Sequence, residues 1–230
     1  MRVKSTYICL FLLLFSFLVK AQKSTDTISF QLLFNKAPLA LGKQYSISDK
    51  DSLTIDFLKF YISDITFYNK GKYAGKSIEK YHLIDAQISN SYTTHCTLKN
   101  KEFDSITFSI GLDSKTQEKG IQGGVLDPTS QMYWTWQNGF INFKLEGKSS
   151  LCSTRKNRFQ FHIGGFQKPY QTRQEVTLSH SGSSSLMIGV DLATFFNAID
   201  ISQTNTVSSP NKNAVMVSKV LPRLFSSHEN

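Results

Sequence analysis

Met132-Tyr133-Trp134-Thr135-Trp136-Gln137-Asn138-Gly139-Phe140-Ile141-Asn142-Phe143-Lys144-Leu145-Glu146-Gly147 opens with both tryptophans of the chain and closes as a strand. Ile141, Phe143 and Leu145 alternate with Asn142, Lys144 and Glu146, so one face is apolar and the other polar, the period of a half-buried strand. On the same logic Trp134 and Trp136, two residues apart, are predicted to share a face, with Tyr133 and Thr135 on the other. Three readings of the indoles stay open: a core plug, in which each N–H needs a partner; an exposed platform for stacking a sugar ring; or a redox-active pair beside a metal.

The same alternation recurs outward in both directions. Ile28, Phe30, Leu32 and Phe34 form one strand, and Leu53, Ile55 and Phe57 another, continuing through Phe60-Tyr61-Ile62 to Ile65-Thr66-Phe67-Tyr68. Tyr81 to Asp85, Ile106 to Ile110, Phe159 to Ile163, Val176 to Leu178 and Leu186 to Val190 add five more. Between Leu112 and Ser130 the chain is irregular, broken by Gly120, Gly123, Gly124 and Asp127-Pro128. Loops of that length in compact domains tend to be functional. Two helices are predicted, a short one over Leu192 to Ala198 and a terminal one over Ala214 to Phe225, weakened late by Pro222. Many short strands with turn signals between them predict an all-β domain, an antiparallel sandwich or barrel, with a short C-terminal helix. No repeat and no Pro/Ser-rich linker divides it.

Residues 1–21 read as a cleaved signal peptide: basic Arg2 and Lys4, an apolar run from Ile8 to Val19, and Val19-Lys20-Ala21 before the cut. The run is shorter than the roughly 20 residues that span a membrane, and no later segment is apolar enough to do so. The expected product is one domain, 22–230, exported to the periplasm or cell surface. Losing Arg2, Lys4 and Lys20 lowers the formal charge from +9 to +6. The remaining cations are scattered, which describes solvated outer faces and argues against nucleic acid as a partner. Cys96 and Cys152 survive processing; in an oxidising compartment a disulfide and two separate thiols are both open.

Chemical signatures are sparse. There is no G-x-S-x-G, H-E-x-x-H, C-x-x-C or Gly-rich phosphate loop, so no catalytic residue is assigned and an enzyme is not expected. Histidines remain. In Phe159-Gln160-Phe161-His162-Ile163 the apolar residues share one face and His162 points to the other, with Gly164-Gly165 allowing close backbone approach. His82 has a similar setting. Imidazole suits copper or zinc, yet a strand histidine is also an ordinary hydrogen-bonding residue.

Six segments in order resemble the MbnP-like family of methanobactin-cluster copper-binding partner proteins. They are Leu58-Lys59-Phe60-Tyr61-Ile62-Ser63, Tyr81-His82-Leu83-Ile84-Asp85, Phe108-Ser109-Ile110-Gly111-Leu112-Asp113, Leu126-Asp127-Pro128, the Met132 to Gly147 stretch, and Phe161-His162-Ile163-Gly164-Gly165. The resemblance covers about Ile28 to Phe225. It implies an exported β-sandwich that binds copper, is not itself an enzyme, and is partnered by a di-haem peroxidase of the MauG-like type that oxidises a tryptophan to kynurenine. Carried over residue by residue, it gives His162 as a metal ligand, with His82 offered as the second, and Trp134 or Trp136 as the oxidised or site-adjacent aromatic. Thr116-Gln117 departs from the pattern, because many relatives carry an Asn-His pair there. The alternative function is a non-catalytic surface β-module that binds glycan or protein through Tyr133, Trp134 and Trp136, with Tyr170 as a further stacking surface.

Overall fold

A computed structural model describes residues 26–99, 102–136, 139–180 and 186–228; the signal-peptide assignment falls outside them. The strands are β1 (Asp26–Phe34), β2 (Ala37–Pro38), β3 (Gln44–Ser46), β4 (Ser52–Asn69), β5 (Lys72–Ser77), β6 (Tyr81–Asp85), β7 (Thr93–Leu98), β8 (Ser105–Ile110), β9 (Tyr133–Trp134), β10 (Gly139–Ser149), β11 (Arg158–Gly164), β12 (Gln174–Ser179), β13 (Leu186–Asp191), β14 (Thr206–Val207) and β15 (Phe225–His228). Three short helices join them: α1 (Ser114–Lys119), α2 (Ala193–Ala198) and α3 (Lys212–Ser218). The architecture is a curled, sandwich-like β structure, as the alternating pattern predicts. None of the helices among the described residues is long and apolar enough to cross a membrane.

Pairing departs from the prediction in one respect: the sheet is mixed. β1 runs parallel to β13 and β11 parallel to β14, while the other pairings are antiparallel. Period-two alternation is the same in either direction, so strand patterns do not report it. The long connections before β13 and β14 permit a parallel return.

The organising strand is β4. Its inward phase is Leu53 and Ile55, then Leu58, Phe60 and Ile62, then Ile65 and Phe67, all buried. Two register shifts reset the phase, one against β10 near Asp56 and one against β8 at Asp64, whose φ is 55°. Bulges of this kind bend a strand and increase its twist. The first also moves Phe57, expected inward, to the outer face, where Lys59 and Lys144 lie over its ring at 5.0 and 4.6 Å.

The inward face of β4 joins β1, β8, β10, β11 and β13 around the main core, which includes Phe30, Phe108, Phe143, Phe161, Phe195 and Phe225. The opposite face carries a second, smaller core of Tyr61, Leu112, Leu126, Met132, Trp134, Phe140 and Ile141. The irregular 112–136 segment is the cover over that face. It contains α1, capped by Asp113, which accepts from the Thr116 N–H at 3.1 Å, and ended by Gly120 at φ 68°. The predicted C-terminal helix is shorter than expected: α3 stops at Ser218, Pro222 sits in a 3-10 turn over Leu221–Leu224, and Phe225 begins β15.

Cys96 and Cys152 are both buried free thiols, so the structure shows no disulfide between them. Burial pushes the Cys96 thiol up to about 11 and raises that of Cys152.

Candidate functional site

The site lies on the outer face of β4, β10 and β11, under the segment that ends in the tryptophans. On β11, Phe161 and Ile163 point into the main core while His162 and Gly164 point out. His162 is opposite Lys144, and Glu146 is opposite Gln160. A carboxylate can only accept, so the 2.7 Å contact between His162 Nε2 and Glu146 Oε1 places the imidazole proton on Nε2. The Gln160 amide nitrogen lies beside the ring, 3.1 Å from Nε2 and 3.4 Å from Nδ1. The His162 bond holds the Glu146 carboxyl below its usual range against the opposing effect of burial, with Lys144 assisting at 3.6 Å.

Two lysines tie this polar strip to the loop above it. Lys59 is buried, pairs with buried Asp85 at 2.9 Å, and donates to the Ser130 carbonyl at 3.1 Å. Lys144 donates to the next carbonyl, that of Gln131, at 3.3 Å. Tyr61 donates to the Val125 carbonyl at 2.8 Å, and burial, opposed by a bond with Ser130, pushes its phenol up to about 12. Three donors from the sheet thus fix the backbone that leads into Met132.

That backbone sets the tryptophans apart. β9 is two residues long and pairs with the start of β10, Trp134 opposite Gly139. Trp134 is 6% exposed and its ring covers Gly164, two residues along from His162 on the same face. Thr135 and Trp136 turn away, leaving Trp136 65% exposed. The indoles do not share one strand face, although their centroids remain 6.0 Å apart. The strand ends before the period can apply.

Below Trp134 is a buried amide network that local sequence patterns did not reveal. Gln117, 1% exposed, accepts from the Phe140 N–H at 2.7 Å and donates to Asn142 Oδ1 at 3.2 Å. Asn142 Oδ1 also accepts from the Leu112 N–H, and Asn142 Nδ2 donates to Thr172 Oγ1 at 3.0 Å. The Thr172 hydroxyl donates onward to the Gly165 carbonyl at 3.2 Å. Beside it, Asp113 receives Tyr81 at 2.8 Å, Lys80 at 3.0 Å and Thr116 at 2.9 Å.

The two histidines singled out in the sequence are not brought together. His82 is opposite Ile62 on β4 and so shares the main-core face, whereas His162 aligns through Lys144 with Lys59 on the other. Three strand spacings separate them laterally, roughly 14 Å at ~4.8 Å each. His82 Nε2 donates to the Ser91 carbonyl at 2.6 Å, and burial lowers its pKa below the usual histidine value. Among the described residues no three of His, Cys, Asp and Glu converge as a metal would require.

A family model for MbnP matches residues 23–215. This chain belongs to the MbnP family. MbnP from Methylosinus trichosporium is similar in structure, with a TM-score of 0.62, 14% identity and 82% of each chain covered; at that identity the likeness speaks for the fold. No curated protein matches the chain. Within the family frame, Gln117 occupies the second place of the Thr116-Gln117 pair and has both amide atoms committed to the buried network. Glu146 was not singled out in the sequence. Its signal was its alternation with Lys144 on the outer face of a strand that forms a hairpin with β11.

Proposed function

We propose that this chain is an exported, non-catalytic MbnP-family protein that engages copper at the His162–Glu146 pair and presents the nearby Trp136 to a partner. The observation that carries the proposal is the shared face: Trp134 rests on Gly164, the next outward residue after His162 on β11. The family is associated with methanobactin and copper systems, and imidazole nitrogen suits copper.

The donors fit an open attachment rather than a closed one. His162 Nε2 and Glu146 Oε1 stand 2.7 Å apart, and copper would take the place of the proton that now links them, which leaves for solvent. Gln117 is spent on hydrogen bonds and His82 lies on the opposite face, so the larger ligand set implied by the resemblance does not assemble. Copper(II) titration followed by calorimetry tests this: His162→Ala and Glu146→Gln should each weaken binding about tenfold or more, and unchanged affinity in both variants overturns it.

The proposed partner is a di-haem peroxidase of the MauG-like type acting on a tryptophan. Trp136 is the indole that an external oxidant reaches, because Trp134 is covered. Mass analysis of the peptide bearing Trp134 and Trp136, from protein taken from its host, should show the kynurenine mass at Trp136. An unmodified mass for the peptide that carries both tryptophans would remove the peroxidase from the proposal.

A second reading, a surface module binding glycan or protein through Tyr133, Trp134 and Trp136, is favoured by an open cleft beside Trp134. Tryptophan fluorescence separates the two: quenching by copper but not by oligosaccharide supports the first, and the reverse supports the second.

A further inference from the structure

Between α1 and the turn over residues 165–172 lies a cleft of about 670 Å³, within the range of about 300–1,000 Å³ typical of small-ligand sites. Its walls are Trp134, Phe166, Pro169, Tyr170 and Pro210, and Gln117 and Gly139 lie at its inner side. Neither His162 nor Glu146 lines it. We infer that this cleft binds a neutral oligosaccharide, at a site separate from the His162–Glu146 pair. The inference rests on the second reading above for its ligand class, but not on the exposed Trp136 face.

The site is preformed. The Gln117–Asn142–Thr172–Gly165 chain of hydrogen bonds links α1, β10 and the 165–172 turn beneath it. The turn is closed by bonds from Tyr170 N–H to the Gln167 carbonyl at 2.8 Å and from Thr172 N–H to the Gly165 carbonyl at 3.1 Å. A ligand therefore meets a fixed shape and pays little ordering cost. Gly139 keeps one side open: a Cβ there would meet only Gln117 Oε1, at 4.0 Å.

Lining chemistry selects the ligand class. Flat aromatic and proline surfaces suit the apolar faces of pyranose rings, while Gln167, Glu118 and Lys168 supply donors and acceptors for hydroxyls. One acidic and one basic side chain, Glu118 and Lys168, both exposed, balance each other, which disfavours a strongly charged ligand. An extended peptide would need a run of free main-chain groups. Here Gly139 is already paired with Trp134, and the turn spends amides on its own carbonyls.

The test uses the mature chain with cellotetraose, laminaritetraose and xylotetraose, read by saturation-transfer NMR and by amide shifts in the 165–172 turn. At least one should bind with chelator present. Gly139→Val, whose Cβ would meet only Gln117 Oε1 at 4.0 Å, and Tyr170→Ala should each weaken it about tenfold or more, the order of losing an interface anchor. His162→Ala and Trp136→Ala should leave it unchanged, with thermal melts confirming that the variants fold. Binding lost only in Trp136→Ala overturns the cleft while keeping the surface reading. Binding that survives both cleft variants, or no binding of any of the three sugars, overturns the inference outright.

Discussion

Trp134 covers Gly164 so closely that a Cβ placed on the glycine would stand 2.6 Å from Cζ3 and 2.8 Å from Cη2 of the indole. The same Cβ would lie 2.6 Å from the Phe140 carbonyl oxygen, so backbone as well as side chain would have to move. The glycine is what lets β11 pass beneath the second core and fixes the height of the indole above the sheet. Gly164→Ala should cost about 1–3 kcal/mol, the range for overpacking a filled core. Urea unfolding measures the loss, and a red-shifted tryptophan emission should accompany it as Trp134 is lifted. Unchanged stability and emission would mean that the indole is not seated there.

Gln117 supports the same region from the other side. Gln117→Leu keeps much of the volume but strands the Phe140 N–H and removes one donor to Asn142. An orphaned buried polar group costs about 1–3 kcal/mol. The expected outcome is a loss of that order in chemical denaturation, with faster hydrogen exchange at the Phe140 amide and slow exchange retained at Ile163. Equal acceleration at both amides would point to global rather than local weakening.

Strands were legible because each exposes its period locally. Ile141, Phe143 and Leu145 needed no partner to be read, and neither did Ile28, Phe30 and Leu32. Phe57 was misplaced because a bulge at Asp56 is set by the register of β10, which lies about ninety residues away in sequence. α1 did leave signals, Asp113 as cap and Gly120 as stop, but six residues carry too little periodicity to stand out from a glycine-rich loop. The site was half legible: His162 was visible as an outward residue beside glycines. Glu146 meets His162, and Gln117 meets Asn142, only through long-range pairing, and no short spacing signals either meeting. The split of Trp134 from Trp136 depends on where β9 ends, which is at its pairing of Trp134 with Gly139 across the connection to β10.

Lys59 and Asp85 form a pair with 8% and 5% exposure. Removing one partner leaves a buried charge, which typically costs about 3–5 kcal/mol, whereas replacing both by apolar residues is often near neutral. Lys59→Met and Asp85→Leu should each be strongly destabilising, and the two together should recover most of the loss. Lys59 also holds the Ser130 carbonyl, so part of the Lys59→Met cost should persist in the double variant. A double-mutant cycle in urea separates the two contributions. Additive losses would show that the ion pair is not coupled.

Buried thiols with raised pKa react slowly, because the thiolate is the nucleophile. Cys96 and Cys152 should therefore resist iodoacetamide at neutral pH in the folded protein and both alkylate in denaturant without reductant, as read by intact mass. Failure of both to alkylate in denaturant would mean that they are joined.

Asp113 gives the acid limb of stability a specific origin. Burial alone would raise its carboxyl. Bonds from Tyr81, Lys80 and Thr116 together outweigh that effect and hold it well below the usual carboxylate range. A carboxyl whose folded pKa lies below its unfolded value, about 3.9 for aspartate, stabilises fully above that unfolded value. The contribution is lost as pH falls from there toward the folded pKa. Asp113→Asn should lower the urea midpoint at pH 7, and the gap to wild type should narrow progressively below about pH 4. Other carboxylates contribute to the acid loss in both proteins, so the difference between them isolates Asp113. A gap that stays constant from pH 7 to pH 2.5 would show that the Tyr81–Lys80–Thr116 cluster does not favour the charged carboxylate.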